Sequence, residues 1–432
     1  MATLHKLALP VIIEYFLQSL IGTVDIYFAG GLGDEAIAAV SLTNLIVNIF
    51  IAVFTAVSVG VTAVVSRNIG RNDREAASAA ARQSILLGLL VGVATGLVAL
   101  VFRVPLLRMS GAEDDILVFA VPYFMTVAVP TLFLCILTIL SACLRASADS
   151  VTPMLASSGA NLVNILLNWV FIKMGMGIIG LGLATTLSRA LAAGLLLGKL
   201  WFGHGKLRIK GGSWRPDREL LGSITRIGLP AGVEKLIMRF GQLVYNGLII
   251  SLGTAAYVAH NVSGNIEGYA CIPAIGFGIA TATQVGISLG EDSPDRAKKY
   301  TYLSIKIAGL YTIILSVGFY LFAPNLAVHF AQSPESQAYI VQVLHFIAFF
   351  EFFSVTSQVL TNALQGAGDT KFPMFATMIG IWGIRVGVGY LLAIRLGLGL
   401  LGIWMAYVLD LIVRSAALYV RFRRGKWATI SI

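Results

Sequence analysis

The chain has 432 residues, of which 57% are hydrophobic and only 12% charged, and its formal net charge is +10. A soluble globular protein carries roughly 25% charged residues, and a single soluble core stops growing at about 300 residues. This composition therefore excludes a soluble globule. The apolar runs are about 20 to 25 residues long, which is the length of a helix that crosses the roughly 30 Å hydrocarbon core of a bilayer. Membrane β-barrel strands alternate over about ten residues, a pattern that these runs lack.

Twelve membrane-spanning helices are predicted, and one linker. The spans lie near residues 7–28, 36–64, 84–102, 116–140, 152–172, 178–201, 227–252, 255–289, 301–322, 338–363, 372–394 and 398–420. The run 255–289 is too long for one straight crossing, so Pro273 within it predicts a kink or a helix that extends past the bilayer. We expect an all-α integral membrane protein with two six-helix lobes, 1–201 and 227–432, joined by a cytoplasmic linker, 202–226.

Lys and Arg residues are distributed unevenly between the two sides of this topology. The side that holds both termini has twenty of them by sequence, and the opposite side has four. The positive-inside rule therefore places both termini in the cytoplasm and the chain in the cell (inner or plasma) membrane, in contact with lipid. Because the net positive charge follows from topology, we expect no nucleic-acid partner.

The two halves repeat one another at an offset of 220 residues. The matching pairs are Pro10 and Pro230, Glu14 and Glu234, Gly33 and Gly253, Asp149 and Asp369, and, after an insertion of two residues, Gly177 and Gly399. Each half contains six predicted spans, an even number, so both copies enter the membrane in the same direction as parallel repeats. Membrane proteins built from such repeats are mostly transporters.

Several short motifs stand in a characteristic order in both halves. They are Leu9-Pro10 with Glu14, Gly22-Thr23-Val24-Asp25, Gly30-Gly31-Leu32-Gly33, Arg67-Asn68-Ile69-Gly70 and Leu364-Gln365-Gly366-Ala367-Gly368-Asp369. Together they resemble the multidrug and toxic compound extrusion (MATE) family, over essentially the whole chain. The resemblance implies two lobes around a central cavity that opens alternately to either side. It also implies export of organic cations or other amphipathic drugs, coupled to inward movement of H⁺ or Na⁺, with no further cofactor. We expect a monomer and no enzymatic activity.

Asp25 is the leading candidate for ion coupling. It follows Glu14 by eleven residues, which places both on one helix face, with Gln18 on the same stripe. Ionisable groups within membrane helices are costly and therefore suggest function. A desolvated carboxylate can exchange a proton near neutral pH, or hold Na⁺ with added oxygen ligands. The alternative interpretation is that Asp25 merely ends the span beside Asp34 and Glu35. The resemblance matches it to the first-helix aspartate of the family.

Asn164 and Asn168 on the fifth span are the predicted partners of Asp25. They follow helical spacing and could hydrogen-bond Asp25 or lend amide oxygens to Na⁺. The proton-type branch of the family often has an aspartate where Asn168 stands, so this chain departs from that pattern. Interhelical packing through hydrogen bonds is the alternative interpretation. Glu14 is the weakest member of the ion-coupling set, because Glu234 repeats it in the other half and both could serve the scaffold.

The C-terminal half departs further from the family pattern. Met238 and Ser354 stand near the positions where the sodium-type branch carries acidic residues. The candidates for substrate or ion contact are Gln18, Gln242, Asn261, Asn265, Glu267 and Glu351. Asp410 and Arg414 are one helical turn apart and are predicted to neutralise each other. Cys135, Cys143 and Cys271 lack metal-ligand spacing and are interpreted as buried thiols, so no metal site is expected beyond a possible Na⁺ at Asp25, Asn164 and Asn168.

Three functions compete on the sequence alone. Secondary active multidrug efflux is the first. A flippase or exporter of a lipid-linked or other endogenous amphiphile is the alternative, and an Arg-rich cavity would favour it, with Arg239 and Arg385 as contributors. An intramembrane enzyme would need a metal or nucleophile constellation within the spans, and the sequence shows none. The chain also lacks the phosphate-binding Gly-rich motif that direct ATP drive would require.

Overall fold

The computed structural model describes residues 2–203 and 205–430, and within these ranges the protein is helical without strands. Its helices are α1 (Ala2–Gly30), α2 (Asp34–Gly70), α3 (Arg74–Val101), α4 (Arg103–Met109), α5 (Asp114–Val127), α6 (Leu132–Ala146), α7 (Val151–Lys173), α8 (Gly177–Phe202), α9 (Arg218–Ile250), α10 (Thr254–Gly290), α11 (Pro294–Phe330), α12 (Pro334–Ala348), α13 (Glu351–Gly366), α14 (Lys371–Met378) and α15 (Gly399–Arg423). The α14 helix continues in π-helical turns over Ile379–Val388 and Leu391–Arg395.

These helices account for the twelve predicted spans. In the described part of the chain, nine helices are long and apolar enough to cross a membrane, and two bent pairs bring the number to eleven. The twelfth is α9, a helix of 33 residues that contains Glu234, Lys235 and Arg239. The prediction of an all-α, twelve-span membrane protein is confirmed.

Two spans are broken, which the sequence analysis did not predict. The fourth span consists of α5 and α6, bent by 45°, and the tenth consists of α12 and α13, bent by 57°. By contrast, α10 runs without interruption through Pro273 for 37 residues. At about 1.5 Å per residue its length clearly exceeds the hydrocarbon core. Of the two outcomes predicted for this run, the structure thus has the extended helix.

The turns between helices repeat as strictly as the helices do. Residues with a positive φ angle recur in matched pairs: Gly33 and Gly253 (121° and 103°), Asn72 and Asp292 (61° and 51°), Gly175 and Gly397 (76° and 69°), and Gly177 and Gly399 (55° and 56°). Glycine, and less readily Asn and Asp, are the residues that adopt such angles. The backbone therefore preserves the duplication predicted from the sequence.

The helices form two compact units, each with its own packing. Leu9–Gly232 forms the N-terminal unit, in which α2 packs against α3, α5 and α6, and α7 packs against α8. Residues 233–430, together with residues 2–8, form the C-terminal unit, in which α10 packs against α11, α12 and α13. Buried residues of α10, α11, α12 and α15 contribute to an apolar core in the latter, with Trp404 among its fully buried side chains.

The segment that follows α8, interpreted from the sequence as a linker, is held by the N-terminal unit. The Gln83 side chain on α3 donates to the Arg215 carbonyl at 2.8 Å and accepts from the Asp217 amide at 3.1 Å. Trp201 and Trp214 stack with their ring centroids 6.2 Å apart. A short helical stretch of α9, from Arg218 onward, also belongs to this unit.

Candidate ion and substrate sites

Glu14 is buried in the N-terminal unit and joins three helices. Its carboxylate accepts a hydrogen bond from Arg145 Nη1 on α6 at 2.9 Å and one from Ser157 Oγ on α7 at 2.8 Å. The side chains of Glu14 and Arg145 are 4% and 12% exposed, so this is a buried ion pair. Both oxygens of Glu14 are thus engaged by the scaffold.

Glu234 occupies the matching place in the C-terminal unit. It accepts hydrogen bonds from Gln365 Nε2 on α13 at 2.9 Å and from Thr377 Oγ1 on α14 at 3.2 Å. Glu234, Gln365 and Thr377 each lie 220 residues after their counterparts, which are Glu14, Arg145 and Ser157 in that order. The glutamate therefore ties the first helix of each half to its fourth and fifth spans. The partner is charged in one half and neutral in the other.

Asp25 and Asn168 meet in the N-terminal unit. Asn168 Nδ2 on α7 donates to Asp25 Oδ1 on α1 at 2.8 Å and also lies 3.2 Å from Asn164 Oδ1. Asn164 and Asn168 are buried, whereas Asp25 is half-buried. With the Asn164 amide turned by 180°, its nitrogen lies 3.3 Å from Asp25 Oδ1. The two amides are therefore placed to hold this carboxylate.

Two further residues of α8 lie near this group, and neither was predicted from the sequence. Thr185 Oγ1 accepts from Asn164 Nδ2 at 3.4 Å. Arg189 interacts electrostatically with Asp25, and its Nη1 has no hydrogen-bond partner in the described part of the chain. A charged residue in the middle of the sixth span was the available signal for Arg189. Asp25, Asn164, Asn168 and Thr185 are called the amide cluster below.

A second polar group lies in the C-terminal unit. Tyr407 on α15 donates its hydroxyl hydrogen to Glu267 Oε1 on α10. The guanidinium of Arg385 lies over the Tyr407 ring, 4.0 Å from its centroid. Arg385 and Arg414 both donate to Asp410 Oδ2. The predicted pair of Asp410 with Arg414 is thus present, and Arg385 is an additional partner.

Glu267 and Glu351, both predicted candidates, are brought together in this unit. One carboxylate oxygen from each lies within 4.8 Å of the other and of Cys271 Sγ. Cys271, which was predicted to be a buried thiol, is half-buried, and its sulfur lies 3.7 Å from Ser354 Oγ. The two glutamates are 7% and 4% exposed.

The remaining four candidates lie on the surface of the chain. Gln18, Gln242, Asn261 and Asn265 are exposed. Gln242 Oε1 accepts from Arg239 at 3.4 Å, and Asn261 donates to the Tyr257 carbonyl of its own helix at 2.9 Å. Their role in substrate contact stays a prediction.

Comparison with known proteins places the chain among transporters. The sequence model of the MatE family matches residues 10–170 and again residues 230–391. A "Probable multidrug resistance protein NorM" from Thermotoga maritima is 29% identical, over 98% of this chain and 92% of that protein. A solved multidrug resistance MATE family transporter of the MOP superfamily, in an outward-facing conformation, has a TM-score of 0.92 at 25% identity and covers 98% of this chain and 95% of its own.

A MOP superfamily transporter from Pyrococcus furiosus also has a TM-score of 0.92 at 25% identity, with the same coverage of 98% and 95%. That structure is described as having a binding pocket of reverse polarity, which suggests a different function for it. The family match covers both halves of the chain, and its two ranges begin 220 residues apart, in agreement with the duplicated fold. This chain therefore belongs to the MatE family and is a multi-pass membrane transporter of the MATE type.

Proposed function

We propose that this protein exports cationic or amphipathic drugs by coupling their efflux to inward movement of H⁺ or Na⁺ through the amide cluster. The observation that carries the proposal is the 2.8 Å hydrogen bond from Asn168 to the carboxylate of Asp25, between two membrane-spanning helices. An ionisable group at such a place is costly unless it has a function. The name of the Thermotoga maritima relative supports drugs as the substrate class.

The cluster can exist in two arrangements, which coupling requires. An ionised carboxylate only accepts hydrogen bonds, whereas a protonated one also donates, and an amide side chain offers either a donor nitrogen or an acceptor oxygen. In the arrangement observed, Asn168 presents its nitrogen to Asp25, and its Oδ1 is buried without a partner among the described residues. Proton transfer to Asp25 would weaken that hydrogen bond and allow the amide to turn.

The same groups are suited to Na⁺. Hard cations take carboxylate, amide and hydroxyl oxygens as ligands. Asp25, Asn164, Asn168 and Thr185 could each supply one such oxygen, and only the Asn168 amide would have to turn, because Asn164 Oδ1 already lies 3.2 Å from Asn168 Nδ2. The cluster therefore supports either coupling ion.

Export of a lipid-linked or other anionic amphiphile is the second candidate function. It would draw on buried arginines such as Arg385. In the C-terminal unit, however, Arg385 and Arg414 both donate to the carboxylate of Asp410, so their charges are already paired. Because both arginines are paired within the protein, a cationic substrate is favoured over a pyrophosphate.

Transport into proteoliposomes of known orientation tests the proposal. A fluorescent organic cation serves as substrate, and a proton gradient and a sodium gradient are imposed in separate vesicles. Asp25→Asn is expected to lose gradient-driven transport, because amide cannot ionise, while Asp34→Asn, an exposed carboxylate, should keep it. Undiminished gradient-driven transport by Asp25→Asn would overturn the role of the amide cluster.

The orientation of the chain is part of the same proposal. The excess of Lys and Arg on the side of both termini supports cytoplasmic termini in the plasma membrane. Reporter fusions at the C-terminus and in the loop between α3 and α5 should report opposite sides of the membrane.

A further inference from the structure

The facing surfaces of α10 and α13 present an unusual set of side chains. Glu267 and Cys271 stand one turn apart on α10, and Glu351 and Ser354 stand one turn apart at the start of α13. The ligand atoms of Glu267, Cys271 and Glu351 lie within 4.8 Å of one another. The Ser354 hydroxyl lies 3.7 Å from the Cys271 sulfur, within the range of a hydrogen bond to sulfur. Residues of two helices thus converge on one point.

The carboxylate of Glu351 is buried at this point and not fully satisfied by the described residues. Glu351 is 4% exposed, and its Oε2 has no hydrogen-bond partner within the described ranges. Burying a charged oxygen without a partner costs far more than leaving it in water. Glu351 is also the first residue of α13, directly after the break in the tenth span. A bound cation would satisfy this oxygen.

The thiol decides which class of cation fits. Na⁺, Mg²⁺ and Ca²⁺ prefer oxygen ligands, whereas a cysteine sulfur favours borderline or soft metal ions such as Zn²⁺. Zinc sites combine Cys sulfur with Glu oxygen in four-coordinate geometry. Ligating carboxylates usually receive a hydrogen bond from an outer group that orients them. Tyr407 supplies that bond to Glu267, and Arg385 over the Tyr407 ring offsets negative charge.

We propose that Glu267, Cys271 and Glu351 bind a divalent transition-metal ion of the Zn²⁺ class, which fastens α13 to α10. This site goes beyond the proposed drug efflux and shares no residue with the amide cluster. Cys271 is half-buried. Because the ion binds the folded protein, it should raise the melting temperature of the full chain.

Co²⁺ titration of the purified full chain in detergent tests the site, because Co²⁺ replaces Zn²⁺ and has a visible spectrum. One equivalent should produce thiolate-to-cobalt charge-transfer absorption, which Zn²⁺ reverses and an excess of Na⁺ does not. Cys271→Ser should abolish the band, and Glu351→Gln should weaken Co²⁺ affinity at least tenfold. The double variant Cys135→Ala/Cys143→Ala is the matched control and should keep the full band, since neither thiol belongs to the cluster.

A second measurement needs no variant and so does not depend on mutant folding. Alkylation of Cys271 by N-ethylmaleimide, located by peptide mass spectrometry, should slow at least tenfold in the presence of Zn²⁺. An unchanged alkylation rate, or a full charge-transfer band in Cys271→Ser, overturns the proposal. Neither result depends on drug transport, so the site and the efflux function can fail separately.

Discussion

The two halves of this protein share a backbone but not their polar chemistry. At the offset of 220 residues, Asp25 and Asn168 of the amide cluster correspond in sequence to Tyr245 and Val388 of the C-terminal half. Conversely, Glu267 and Cys271 correspond to Val47 and Ile51, and Glu351 corresponds to Thr131. Each half thus holds a polar cluster where the other is mostly apolar. The residues that the halves share belong to the scaffold, whereas the two polar clusters lie at positions that the repeat does not preserve.

The buried glutamates show what the halves have kept. Glu14 and Glu234 bind side chains at the same two matching positions, although the partner of Glu14 is Arg145 and that of Glu234 is Gln365. Since both join the same three elements of their own halves, a structural role explains them. This is consistent with the proposal that ion coupling uses groups that the halves do not share.

The largest loss of stability is expected in the C-terminal half, at the charge network of Asp410, Arg385 and Arg414, which has no counterpart among the described residues of the N-terminal half. Asp410→Ala leaves Arg385 and Arg414 without their shared carboxylate in a buried place. Removing one partner of a buried ion pair typically costs about 3 to 5 kcal/mol, and here two cations lose theirs, so we expect little folded protein. Ser188→Ala is the N-terminal counterpart and should cost about 1 kcal/mol or less. Yield and thermal unfolding in detergent measure both, and similar stability of the two variants would contradict the network.

The next largest loss of stability is expected when the partners of the two buried glutamates, Glu14 and Glu234, are removed, and its size should differ between them. Arg145→Ala leaves the Glu14 carboxylate buried without its cation and should cost about 3 to 5 kcal/mol. Gln365→Ala removes a neutral donor from Glu234 and should cost about 1 to 3 kcal/mol. Chemical denaturation of the two variants side by side gives the difference. If Gln365→Ala lowered the free energy of unfolding more than Arg145→Ala does, the ion pair of Glu14 would not stabilise its half more than the neutral hydrogen bond of Glu234 stabilises the other.

The helices, the duplication and the main N-terminal contact were all predictable from the sequence. Membrane helices leave long apolar runs, and Gly turns leave a fixed spacing, so the twelve spans and the repeat could be read directly. Asn164 and Asn168 share one face of α7, and a polar face in a membrane helix needs a polar partner, for which Asp25 was available. The observed hydrogen bond follows that reasoning.

The cluster of Glu267, Cys271 and Glu351 could not be predicted in the same way. Helical periodicity relates residues on one helix, but it says nothing about which face of α10 meets α13, so Cys271 and Glu351 could not be joined. The breaks in the fourth and tenth spans were hidden for a related reason. Hydropathy is continuous through both of them, and the fourth span contains two prolines, Pro122 and Pro130, of which only Pro130 lies at the break.

A smaller effect tests the amide cluster without removing its charge. Asn168→Val installs the residue found at the matching position, Val388, and deletes the donor to Asp25. A hydrogen bond to a charged group contributes about 1.5 to 3 kcal/mol, so the apparent affinity for the coupling ion should change by about 10- to 100-fold. Asn161→Val on the same helix is the control, because no hydrogen bond joins Asn161 to Asp25 in the described structure. Equal ion dependence in both variants would count against the cluster.

The smallest effect tests the scaffold that the halves share. Gly33 and Gly253 precede α2 and α10 with φ angles of 121° and 103° and ψ angles of 168° and 166°, a region that only glycine adopts without strain. Gly33→Ala and Gly253→Ala should each cost on the order of 1 to 2 kcal/mol. Gly22→Ala, within α1 and with no atom within 4 Å of the added methyl group, should cost nothing. Because the turns are copies, the two costs should agree within the error of thermal unfolding. If the two substitutions lowered stability by different amounts, the two turns would not be equivalent parts of the scaffold.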